Sequence, residues 1–172
     1  MKSFEKLPGD YEIRLLAQRF ATAADFEREQ AKRKYEAAEK LRITATLASR
    51  KAAVLEYREA IRLFISVKDA DGEGKAPGNL GLVLNSLGDN QGALDAHRQA
   101  LDRKRALQDG LGEATVLHNL GSAHFDMGDL AKALDHFSKA LALFQALGAK
   151  DGEARSLLRL ARGGSRSRSE PH

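Results

Sequence analysis

The chain has 172 residues, 42% of them apolar and 30% charged, with 28 Lys and Arg against 24 Asp and Glu and neither Cys nor Trp. The missing cysteines exclude a disulfide scaffold, a thiolate zinc site and a cysteine nucleophile. No apolar run approaches the roughly 20 residues of a membrane span.

A chain of this length forms one domain that buries about two-thirds of its unfolded surface. Abundant Ala, Leu, Glu, Lys and Arg beside only 3 Pro make the expected class all-α. Met1-Lys-Ser-Phe-Glu-Lys runs straight into mixed charge without a signal-peptide core, so the expected location is the cytoplasm. Residues 1–35 are expected to cap the domain as a helix or helix pair. Asp10 is the candidate N-cap after Pro8-Gly9, and Ile13, Leu16, Phe20, Ala24, Phe26 and Ala31 supply an apolar stripe, within a stretch (11–48) that reads as one long helix or two.

From there the chain repeats. Asn79-Leu80-Gly81 returns as Asn119-Leu120-Gly121, Ala93-Leu94-Asp95 as Ala133-Leu134-Asp135, and Gly112-Glu113-Ala114 as Gly152-Glu153-Ala154. Every offset is 40 residues, and a weaker copy holds Ala53, Tyr57, Ala60-Ile61 and Asp71-Gly72-Glu73-Gly74. The expected repeats are 39–78, 79–118 and 119–158, within an array over 36–163 that ends on the first helix of a fourth. Residues 164–172 have no apolar side chain to bury and are expected to be disordered. A repeat interrupted in this way makes the chain look like a piece of a longer array.

Each unit reads as two helices. Ala114, Leu117, Leu120, Gly121 and His124 form one helical stripe, Gly128-Asp129 breaks it, and Leu130, Ala133, Leu134, Phe137, Ala140, Leu141 and Phe144 form the next. Leu147-Gly148 closes that helix, and Asp151 is the expected cap of the one after. Small residues at Gly81, Gly121, Ala93, Ala133, Ala100 and Ala140 let helices approach closely, and Tyr57 and Phe137 fill the holes. A pair this small cannot bury its apolar face alone, so the units must stack into a solenoid. Pro77 interrupts the second repeat's first helix. The expectation is a late helix start near Pro77, with Gly72–Gly78 as a loop that leaves the first two repeats flexible.

The order Leu-Gly, a large or ring side chain, Gly-Asp, then Ala, ring and Ala resembles the tetratricopeptide repeat. The matching residues are Leu120, Gly121, His124, Ala133, Phe137 and Ala140 in the third repeat, and Leu80, Gly81, Leu84, Ala93, His97 and Ala100 in the second. Against the common period of about 34, 40 residues resembles the extended subclass. Asn-Leu-Gly and Gly-Glu-Ala look most like bacterial arrays attached to signalling ATPases or CHAT proteases. The resemblance implies a right-handed helical solenoid that serves as a protein-interaction scaffold. It also implies that first helices line the concave face, with Asn79, Leu82, Asn85, Ser86, His118, Asn119, Ser122, Phe125, Asp126, Arg155 and Arg159 as peptide-binding residues. Asparagines before Leu-Gly suit an extended backbone because an amide both donates and accepts. Asn119, Arg155 and Arg159 match part of the family's carboxylate clamp. Its Lys and second Asn places hold Gly78 and Leu82, too little for a chaperone co-factor, but the arginines suit an acidic chain terminus as one candidate ligand.

No catalytic constellation stands out, and no cofactor or metal is expected. His118 and His124 lie six residues apart, off the i,i+4 spacing of helical zinc ligands. Gly72–Gly78 follows a helix rather than a strand and lacks the Lys-Ser/Thr pair of a phosphate loop. Two other readings stay open. The exposed Leu157, Leu158 and Leu160 face suggests self-association, and the basic ends suggest nucleic-acid binding. Residues 1–70 and 155–172 each carry a net charge of +4, against −4 for 71–154, which is too little for firm phosphate binding.

Overall fold

The computed structural model describes residues 22–167, with side chains through Gly164. Seven helices fill that span: α1 Ala23–Thr44, α2 Leu47–Ser66, α3 Ala70–Ser86, α4 Asn90–Ala106, α5 Gly110–Asp126, α6 Leu130–Ala146 and α7 Lys150–Ser167. Helices α3 to α6 are each 17 residues long.

Identical turns join α2 through α7, whereas α1 and α2 meet at left-handed Ala45 and at Thr46, whose hydroxyl accepts from the Ser49 N–H at 3.0 Å. Lys68, Gly88, Gln108, Gly128 and Gly148 all take a left-handed conformation, with φ between 54° and 82°. At each turn the next N–H donates back across the helix end, as from Asp69 to the Phe64 carbonyl at 2.9 Å and from Asp129 to that of His124 at 2.9 Å. Asp69, Asp89, Asp109 and Asp129 then cap the following helices. Their carboxylates accept from the N–H of Gly72, Gly92, Gly112 and Lys132 at 2.8–3.2 Å. The backbone therefore repeats every 20 residues, half the sequence period. Asp151 lies in the first turn of α7, and Ala149 occupies the place the capping aspartates hold elsewhere.

Consecutive helices pack as antiparallel pairs that stack into an all-α solenoid. The first helices also touch in succession, α1 to α3 to α5 to α7, whereas α2, α4 and α6 do not meet one another. First helices thus line the inner, more crowded side. The expected boundary at residue 35 falls inside α1, which pairs with α2 as the first half of the first unit. Residues 1–21 of the expected cap lie outside the described residues. At the other end α7 continues through Ser167, so residues 164–167 are helical rather than disordered, and 168–172 lie outside the described residues.

The late helix start expected at Pro77 is also overturned. α3 begins at Ala70 and carries Pro77 in its interior, so Gly72–Gly78 is helix and not a loop. A proline there costs about 3 kcal/mol through its lost donor and ring clash. Several contacts offset this. Asp69 caps the first turn. Glu73 is buried and ion-paired with Arg103 of α4. The Pro77 ring itself is fully buried, at the place Leu117 takes one repeat later.

Close approaches between a small residue and a bulky one set the packing. Within pairs, Gly81 faces the His97 ring and Gly121 the Phe137 ring, where an added Cβ would stand only 2.7 Å from ring carbons. Between pairs, Gly72 lies on Phe64, Gly112 on the Lys104 stem and Gly152 on Phe144. Lys104 keeps its stem buried while its ammonium reaches Asp109 at 2.7 Å. His97 fills a ring position with no hydrogen-bond partner for either nitrogen, and burial pushes its pKa down to about 4.

Two predictions follow from these contacts. Gly72→Ala gains helix propensity of about 1 kcal/mol but drives a methyl into the Phe64 ring, where overpacking costs about 1–3 kcal/mol. Chemical denaturation is expected to show net destabilisation. Gly78→Ala, whose methyl would meet only Ala100 at 3.7 Å, is expected to stabilise by up to about 1 kcal/mol. The second concerns acid. His97 has a folded pKa below its ordinary value of 6.5, so its contribution is complete above pH 6.5 and is lost as pH falls towards 4. At about 1.4 kcal/mol per unit the loss reaches about 3 kcal/mol. His97→Phe, which copies Phe137, is expected to raise the melting temperature and flatten this acid limb.

Candidate functional site

The inner face carries a trough made of two adjoining hollows that share Leu82 and Asn119. The first, of about 450 Å3, runs from Tyr35 on α1 past Lys75, Gly78 and Asn79 on α3 to Thr115 and Asn119 on α5. The second, of about 460 Å3, is lined by Leu82, Asn85, Ser86, His118, Asn119, Ser122, Asp126, Arg155 and Arg159. Nine of the eleven residues expected to bind peptide therefore surround one hollow. Their clustering follows from the 40-residue register, which places equivalent first-helix positions side by side.

The remaining two sit differently. Asn79 lines the first hollow, but its amide donates to the Tyr35 hydroxyl at 2.8 Å and to Glu39 Oε1 at 2.6 Å. Its nitrogen is committed to α1 and is not free to clamp a ligand. Phe125 lines neither hollow and stands against Gly163 of α7.

The bonds of Asn79 belong to a polar network that the repeat motif alone does not announce. Tyr57, whose ring is fully buried, donates its hydroxyl to Glu39, and Arg42 donates to the same carboxylate at 2.7 Å. Burial favours the neutral acid, but the bonds from Arg42, Tyr57 and Asn79 outweigh it and hold Glu39 below its ordinary range. Burial, followed by the Glu39 bond and charge, pushes the Tyr57 hydroxyl up. The signal available in sequence was the column Glu39, Asn79, Asn119, Arg159, in which an acid at one repeat stands beside an amide at the next.

Within the second hollow the polar groups differ in availability. His118 is buried, bonded through Nδ1 to the Ser156 hydroxyl of α7 at 3.2 Å, and its ring lies 5.2 Å from that of Phe137 in a tilted arrangement. Burial, with Arg155 and Arg159 nearby, pushes its pKa down to about 4. It joins α5 to α7 as a neutral ring. Ser122 donates to the His118 carbonyl at 3.2 Å and Ser86 to that of Val83 at 2.7 Å, while Asn85 reaches Asp126 at 3.5 Å. Asn119 makes no side-chain hydrogen bond among the described residues, and neither Arg155 nor Arg159 is paired there with a carboxylate. In the first hollow, by contrast, Lys75 pairs with Asp71 and Lys104 with Asp109, each at 2.7 Å. In the second hollow the groups left without side-chain partners among the described residues are thus the Asn119 amide, the Asn85 Oδ1 and two guanidinium groups, set beside one lining carboxylate, Asp126.

This is the architecture of a tandem-repeat solenoid, with a trough lined by first helices. Tetratricopeptide repeat models match residues 78–109 and 112–163, so this part of the chain carries tetratricopeptide repeats. Among solved structures, the N-terminal domain of stress-induced protein-1 (STI-1) from C. elegans is similar in fold, with a TM-score of 0.59 and 17% identity over 78% of this chain and 98% of that one. No curated protein matches the chain. Tetratricopeptide repeats generally serve as non-enzymatic scaffolds for protein–protein interaction. No helix among the described residues is long and apolar enough to cross a membrane.

The two repeat-equivalent asparagines are expected to respond differently to truncation. Asn79→Ala removes bonds from Tyr35 and from a charged, half-buried Glu39, and should lower stability in urea by about 1–3 kcal/mol. Asn119→Ala should leave the urea midpoint unchanged. Equal effects would contradict the assignment of Asn79 to the α1 network.

Proposed function

We propose that the trough receives an extended or helical segment of another protein, with an acidic group seated between Arg155 and Arg159. The observation that carries this reading is the second hollow. It is lined from α3, α5 and α7 and holds two arginines without carboxylate partners among the described residues. Guanidinium forks match carboxylate geometry and form charge-assisted bonds worth about 1.5–3 kcal/mol each. Asn119 supplies a donor and an acceptor at mid-trough, suited to main-chain amides whatever the ligand sequence. Leu82, 39% exposed, offers an apolar contact between the two hollows. Neutralised Lys75 and Lys104 at the opposite end leave the attraction for acid concentrated at α7.

The test uses fluorescein-labelled peptides ending in consecutive acidic residues, each made with a free or an amidated terminus, and reads affinity by anisotropy. Arg155→Ala combined with Arg159→Ala is expected to weaken the tightest peptide at least about tenfold, equivalent to about 1.4 kcal/mol. The melt of this variant should match the parent, because both side chains are surface groups without ion partners. Affinity unchanged in the double variant, or neutral peptides binding as tightly as acidic ones, would overturn the reading.

A further inference from the structure

We infer that the outer face of α7 is a two-fold contact surface for a second copy of this chain. Ala154, Leu157, Leu158 and Ala161 follow i, i+3, i+4, i+7 spacing and so share one side of the helix. All four are exposed, Leu157 by 48% and Leu158 by 60%. The opposite side, with Gly152, Ser156 and Gly163, is the one packed into the solenoid.

The repeat register says what this face is shaped for. One repeat earlier, Ala114, Leu117 and Gly121 hold the places of Ala154, Leu157 and Ala161, and α6 covers them. Ala114 is fully buried and Leu117 is 3% exposed. Among the described residues no helix covers α7 in this way. Its face is thus continuous in pattern with an established helix–helix interface and has the same small-large-small relief.

The choice of occupant comes from the symmetry of the pattern. The order Ala154, Leu157, Leu158, Ala161 reads the same in both directions about the point between the two leucines. An antiparallel copy of α7 therefore sets Ala154 against Ala161 of the second copy, and Leu157 against Leu158 of the second copy, so each large side chain meets a large one where the small pairs let the helices close. A self-complementary patch is what an isologous two-fold contact requires. Charge runs the same way. In an antiparallel pair the helix dipoles oppose one another, and Asp151 in the first turn of one copy lies towards the last turn of the other. One helix face is smaller than the roughly 800 Å2 per partner of a standard stable complex. The association is accordingly weak and reversible, and it lies on a different side of α7 from Arg155 and Arg159, which face the trough.

Sedimentation velocity of the full chain across a wide concentration series is the first test. The mass should rise from 18.8 kDa towards twice that value. Leu157→Glu with Leu158→Glu should hold it at the monomer while far-UV dichroism and the melt stay unchanged. Orientation is tested with single cysteines, since the chain has none of its own. Ala154→Cys mixed with Ala161→Cys should oxidise mainly to the mixed dimer, and each alone should cross-link poorly. A constant monomer mass in the parent would overturn the inference. So would association that survives both glutamates, or Ala154→Cys pairing with itself as readily as with Ala161→Cys. Loss of peptide affinity in the arginine variant does not bear on any of these outcomes, so the groove and the α7 contact fail separately.

Discussion

Helices α2 to α7 are positioned by the close approach of a small residue to a bulky side chain. A pair of 17-residue helices cannot bury its own apolar face, so stability must come from neighbours in register. Gly81 and Gly121 admit the His97 and Phe137 rings within pairs, and Gly72 and Gly152 admit Phe64 and Phe144 between them. Because both contacts recur at 40 residues, equivalent positions of α1, α3, α5 and α7 come to lie in columns. The trough is a by-product of that alignment, and its chemistry is whatever the columns display.

Along those columns the two ends are built differently. At α1 the polar groups satisfy one another. Glu39 collects bonds from Arg42, Tyr57 and Asn79, so a phenol takes the place of Phe137 without leaving a buried hydroxyl unpaired. At α7 the same column positions hold Arg155 and Arg159, whose guanidinium groups face a hollow with one carboxylate. The first end is electrically quiet, and the second keeps two guanidinium groups without carboxylate partners among the described residues. His97 and His118 show the intermediate case. Both are imidazoles held neutral by burial, one without a partner and one bonded to Ser156, and both make the array sensitive to acid.

The fold was legible because small and large residues recur at a fixed offset, and nine of the expected groove residues converge for the same reason. What escaped the sequence was information that single residues carry. Lys68 and Gln108 take the left-handed turn that Gly88 and Gly128 announce, which hid the 20-residue backbone period. Three glycines and Pro77 read locally as a loop, yet Asp69, the Phe64 contact and burial of the proline ring make helix there. Asn79 and Asn119 are identical in motif but not in role, because Glu39 precedes one of them in its column and Asn79 precedes the other. Phe125 was misplaced by its position at the edge of the stripe, where a large side chain reaches the next helix instead of the groove.

The central claim is that register overrides local propensity, and residues 70–80 are where the two conflict most sharply. Amide hydrogen exchange on the intact chain, resolved to single residues across α3, addresses it directly. Slow exchange from Gly74 through Leu80, comparable to residues 114–120 of α5, is the expected result, with Pro77 contributing no amide. Exchange at unprotected rates from Gly72 to Gly78, followed by protection only beyond Pro77, would mean that propensity prevails there and that the contacts assigned to Gly72 do not hold the helix.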